Sequence, residues 1–148
     1  MKRRTLLLMT AAFTAIFISG CVKTTDPTPP VLPTGNFTGT FSRYHLNIAT
    51  GKIDTITANL TLNLSAATGY VIGGDTSKHA ASHGGYVVDG TNVAFSDQTL
   101  PPSTVINAPT PTKTHLNGVY QYSYSAGVSL KIQQVGDTLI YLYNMKAQ

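Results

Sequence analysis

Tryptophan and glutamate are absent from this chain of 148 residues, cysteine occurs once, and charged side chains make up only 11% of it. A single cysteine excludes an internal disulfide, so the fold must be held by its core alone. Without glutamate, the carboxylates are six aspartates. Asp54, Asp89 and Asp137 sit at strand ends or turns, where Asp serves the backbone, which argues against paired-carboxylate hydrolysis. There is no Gly-x-Ser-x-Gly elbow, and Gly73-Gly74 and Gly84-Gly85 lack the lysine or helix that a phosphate loop needs. Ser82 beside His83 is not a triad, because a nucleophile and its base meet through different segments. The chain therefore reads as a non-enzyme without a cofactor. Nor are the basic residues beyond position 20 clustered: Lys23, Arg43, Lys52, Lys78, Lys113, Lys131 and Lys146 are scattered, so the footprint of a nucleic-acid binder is missing.

What is present begins at the N-terminus. Lys2, Arg3 and Arg4 precede an apolar run from Leu6 to Ile18, which ends in Ile18-Ser19-Gly20-Cys21. A basic start, a short apolar stretch and small residues before a cut describe a secretory signal peptide over residues 1–20. Ile18-Ser19-Gly20-Cys21 resembles the lipobox of bacterial lipoproteins. The resemblance implies cleavage before Cys21, a diacylglyceryl thioether on its sulfur, acylation of the new amino group and membrane attachment through that lipid. Val22 rather than Asp follows the cysteine, which by the same resemblance implies the outer membrane. Loss of the leader removes three basic residues and leaves seven against six aspartates, a nearly neutral domain.

Val22 to Gly35 holds Pro27, Pro29, Pro30 and Pro33 among Thr and Asp without apolar periodicity, so residues 21–35 read as the lipidated cysteine and its tether. An extended tether of that length reaches roughly 40 Å at about 3.1 Å per residue. Residues 36–148 then form a series of short strand patterns. Asn36 to Leu46 is the first, and Ile53 to Leu64 the second, with Ile56, Ala58, Leu60, Leu62 and Leu64 alternating with Thr and Asn. Gly69–Gly73, Tyr86–Asp89, Val93–Ser96, Leu116–Tyr124, Val128–Val135 and Leu139–Met145 follow, with Asp89-Gly90 as a hairpin signal. Consecutive strands joined by short turns predict an all-β antiparallel meander, closed into an eight-stranded up-and-down barrel so that no apolar edge is left. The alternative is a β-sandwich in which the proline-rich loop after the fifth strand crosses between sheets.

Gly39-Thr40-Phe41 in the first strand, Asn117-Gly118-Val119-Tyr120 opening the sixth, and the meander from Asn36 to Lys146 resemble the small lipocalin-like, or calycin-like, lipoproteins of diderm bacteria. The chain departs from the lipocalin pattern in lacking the tryptophan of the first strand.

Two constellations could carry binding chemistry. Tyr120, Tyr122 and Tyr124 share one face of a strand, and Tyr141 and Tyr143 repeat the spacing on the last. Facing inward, they line a small-molecule cavity; facing outward, they offer a partner rigid amphipathic area; otherwise they simply pack the sheet. Asp75, His79 and His83 are spaced four apart before Gly84-Gly85, which predicts a short helix capped at Asp75. His79 and His83 would then share a face but form only two ligands of a metal site, so a solvated loop is expected. The functional expectation is a lipid-anchored barrel binding a small or apolar ligand; the alternative is an accessory lipoprotein docking on an envelope protein or polysaccharide.

Overall fold

The computed structural model describes residues 31–102 and 111–148. The leader, Cys21 and most of the tether lie outside them. The chain forms eight strands: β1 (Gly35–Asn47), β2 (Lys52–Ser65), β3 (Gly69–Gly74), β4 (Ser82–Asp89), β5 (Asn92–Asp97), β6 (Gly118–Ser125), β7 (Ser129–Val135) and β8 (Leu139–Ala147). Each strand pairs antiparallel with its neighbours in sequence, and β8 returns to β1, so the sheet is a closed up-and-down barrel. The closing ladder runs from Phe37↔Ala147 to His45↔Leu139, which leaves neither strand with a free edge there. β5 pairs directly with β6, so the loop between them does not carry the chain to a second sheet.

Alternation dictates which side chains enter. Phe37 and Phe41 from β1, Ala58 to Leu64 from β2, Tyr70 and Ile72 from β3, Val93 and Phe95 from β5, Leu130 and Ile132 from β7 and Met145 from β8 form one buried cluster. Burying a side chain of this size is worth about 1.5–3 kcal/mol. The outer face of β2 is Thr and Asn, laced by bonds such as Asn63 Nδ2 to Asn36 Oδ1 at 2.6 Å.

Turn chemistry sets the hairpins. Asp89 pairs with Asn92, so the two loop residues are Gly90 and Thr91, one position later than the Asp-Gly pattern suggests. Gly90 takes a φ of 58°, which glycine adopts without strain. β4 starts at Ser82, four residues before the alternation of Tyr86 onward becomes visible, and β6 starts at Gly118 rather than Leu116.

The strand directions give the barrel two ends. Chain entry at Gly35 and the β2–β3, β4–β5 and β6–β7 turns lie at the near end. The β1–β2 hairpin and the loops after β3 and β5 lie at the far end.

Candidate functional site

Tyr120, Tyr122 and Tyr124 on β6 and Tyr141 and Tyr143 on β8 all belong to the core or pack against it, so the predicted face points inward. Among the described residues, the centre of the barrel is packed rather than empty. Tyr143 and Tyr120 are fully buried, with ring centroids 6.0 Å apart, and each contacts a phenylalanine: Phe41 at 4.9 Å and Phe95 at 6.0 Å. These edge and tilted contacts are how aromatic rings fill a core. Burial pushes the Tyr120 phenol up to about 12 and that of Tyr143 well above the ordinary value, so both stay protonated hydrogen-bond donors. The Tyr120 hydroxyl donates to the Asn117 carbonyl at 3.1 Å.

The far end is stoppered from the loops. The segment after β3 is not a helix: it bends inward and bridges His79 to Thr114. His79 is fully buried rather than solvated, edge-on to Phe41 at 4.8 Å. Its Nδ1 lies 2.8 Å from the Ala80 carbonyl and its Nε2 lies 3.0 Å from the Tyr143 hydroxyl. A carbonyl only accepts, so Nδ1 carries the proton and Nε2 accepts from Tyr143. Burial lowers the pKa of this ring, in keeping with a neutral imidazole. His83 is instead exposed on β4, so the two histidines of the proposed pair are not brought together. Among the described residues no group of three or more His, Cys, Asp or Glu converges as metal ligands would.

Beside His79, Leu116 is buried and its carbonyl accepts from the Tyr70 hydroxyl at 2.7 Å. Asp97 ties down the loop after β5, accepting from the Thr99 amide at 2.7 Å, the Thr99 hydroxyl at 2.6 Å and His115 Nδ1 at 2.8 Å. Burial pushes the Asp97 carboxyl up, but these donors outweigh it and hold the pKa below the usual value.

The near end is closed by a feature that composition concealed. Residues 31–34, which read as tether, lie across the mouth as a strap, with Pro33 fully buried. Three inward tyrosines hold it by its main-chain carbonyls: Tyr86 donates to Pro33 at 2.6 Å, Tyr124 to Thr34 at 3.2 Å and Tyr122 to Val31 at 3.4 Å. Burial raises the Tyr86 phenol, with Tyr124 adding to the effect. Gly35, at φ 125°, makes the bend from strap into β1. The only hint in the sequence is Val31-Leu32, an apolar pair among prolines and threonines.

On the outer wall, apolar side chains gather toward the far end. Val135 pairs with Ile140, Ile140 with Tyr44, and Leu46 with Ile53, so these five form one continuous strip across β7, β8, β1 and β2. Ile48 extends it into the hairpin turn at 78% exposure, while Ile53 and Val135 are each 65% exposed. Cross-strand partners on one face lie about 5 Å apart, close enough for a shared surface.

Comparison with protein-family models, curated proteins and solved structures returned no match.

Proposed function

We propose that this chain is a non-catalytic, lipid-anchored accessory domain of the bacterial cell envelope that docks a protein partner on the outer wall of its barrel. The observation that carries this reading is the strip of exposed Val135, Ile140, Leu46, Ile53 and Ile48, bridged by half-buried Tyr44, on a barrel whose core is filled by its own side chains. A carrier that holds its ligand inside the barrel needs an enclosed chamber of roughly 300 Å³ or more, and at the barrel's centre Tyr120 and Tyr143 are packed against Phe95 and Phe41. Several apolar side chains left in water side by side mark an interaction surface. An apolar strip favours a protein over a polysaccharide, whose surface is rich in hydroxyls.

The anchor supports the geometry. With residues 31–34 bound to the barrel, only residues 22–30 separate it from a lipid on Cys21, a reach of roughly 28 Å at about 3.1 Å per residue. The near end then faces the membrane. The strip sits at the other end of a tilted 13-residue strand, roughly 30 Å farther out.

Site-specific photocrosslinking in the native membrane tests this reading. A photoreactive side chain at Ile48 or Ile53 is expected to give one defined protein adduct, lost on Leu46→Asp, while one at Val71, on the outer face of β3, gives none. Equal yields at all three positions, or adducts only with lipid, contradict it.

A further inference from the structure

The strap is bound in a way that a mere continuation of β1 would not be. Among the described residues, positions 31–34 make no backbone–backbone hydrogen bond to the barrel; what holds them is the three phenolic hydroxyls, each aimed at a main-chain carbonyl. Carbonyls are common to every peptide, so the tyrosines read the path of a backbone rather than its side chains. The one fully buried residue of the strap is Pro33. Proline has no N–H, so sinking it beneath the mouth leaves no donor unsatisfied. A recess that buries a proline and is bordered by tyrosines bonded to the carbonyls of that proline and its neighbours is close to the chemistry by which extended proline-containing peptides are recognised. Beside the strap, Leu32 borders an open cleft of about 330 Å³ shared with the Ser65–Gly69 turn and with Gly84, Gly85 and Tyr86. Val31, at the outer end, is largely exposed and has the longest of the three contacts.

We propose that the near mouth is a peptide-binding site for extended, proline-containing segments, built from Tyr86, Tyr122 and Tyr124 and occupied in cis by the chain's own residues 31–34. Gly35 is the hinge, because its φ of 125° lets the strap fold back over β1 or swing away. The strap is thus a self-ligand that closes the site, and a competing segment binds only when the strap leaves. This site is separate from the docking strip at the far end and stands without it.

The test uses the full-length protein in detergent micelles and a capped synthetic pentapeptide of sequence Val-Leu-Pro-Thr-Gly, with Val-Leu-Asp-Thr-Gly as control. The readout is the ring NMR signals of Tyr86, Tyr122 and Tyr124. Pro33→Asp places a charge where the strap is buried and should expel it while the barrel amide signals persist. The expelled variant should then bind the native pentapeptide saturably, shifting all three rings. The wild type should bind at least about tenfold more weakly, because a site open for only a fraction of the time loses affinity by that fraction. The control peptide, which lacks the proline, should bind neither. A second variant, with residues 31–34 replaced by a Gly-Ser repeat, should reproduce the result without a buried charge. Unchanged tyrosine signals in both variants, folded variants that ignore the peptide, or equal binding by wild type and variants would overturn the proposal. Unfolding of both variants would also overturn it, by making the strap part of the core.

Discussion

The Tyr143 hydroxyl donates to Nε2 of His79 at 3.0 Å, so a loop histidine is plugged into the last strand of the barrel. The other ring nitrogen donates to Ala80. A neutral ring satisfies both contacts; a protonated one would turn two donors on partners of which only the carbonyl must accept.

A pH dependence follows. Burial lowers the folded-state pKa of His79 below its unfolded value, so unfolding takes up a proton in the interval between them. The stabilisation is fully present above about pH 6.5 and is lost as pH falls through the interval, with a slope of at most about 1.4 kcal/mol per pH unit for one group. Urea unfolding at pH 7.5 and 5.5 should show this loss, and His79→Leu should flatten it. Asp97 and His115 act on the same ring and are unchanged in that variant, so a slope that survives His79→Leu would contradict the assignment to His79.

Tyr143 should separate ring from hydroxyl. Tyr143→Phe keeps the packing on Phe41 but strands the buried Nε2, at a cost of about 1–3 kcal/mol. Tyr143→Ala empties the centre of the core and should cost about 3–5 kcal/mol. Thermal or urea unfolding of the pair checks the order, which reverses if the face is not packed.

Closure depends on a glycine. A Cβ on Gly39 would run into the Asn144 carbonyl of β8 and approach Met145 Cα at 2.8 Å, both backbone atoms that cannot rotate away. Gly39→Ala should therefore pry β8 from β1 and cost more than about 2 kcal/mol, in the range of core overpacking. Gly85→Ala, whose Cβ meets open space, should stay within about 0.5 kcal/mol. Circular dichroism melts of both variants suffice.

Asp97 should matter most near neutral pH. Its carboxyl pKa is held down by Thr99 and His115 against the opposing effect of burial, so its contribution is present above the unfolded value near 4 and disappears as pH falls below it. Asp97→Asn should cost about 1.5–3 kcal/mol at pH 7, the size of charged hydrogen bonds, and progressively less as pH falls below about 4.

Most strands were legible because a half-buried strand announces itself by period two, as Ile56 to Leu64 do. The start of β4 was not. His83, Gly84 and Gly85 carry no alternation, and Gly84 is small because a side chain would strike the Ser96 carbonyl of β5. His79 misled for a related reason: spacing describes which face of an element a residue occupies, whereas its burial is decided by a loop folding over the barrel end. The strap was hidden by prolines that composition assigns to linkers, although Pro33 is among the most buried residues. That Tyr120, Tyr122 and Tyr124 share a face could be read as a parity, but its inward direction, and whether it lines a chamber or fills it, depends on Phe41, Phe95 and His79, which arrive from elsewhere in the chain.

The most direct test of the account is native mass spectrometry of the full-length protein extracted from its own membranes. The expected species is a chain beginning at lipid-modified Cys21, carrying its acyl groups and no stoichiometric small molecule, because the barrel core is packed with its own side chains and the strap covers its near end. An unmodified N-terminus would contradict the anchor, and a small molecule retained at one per chain would contradict the filled barrel.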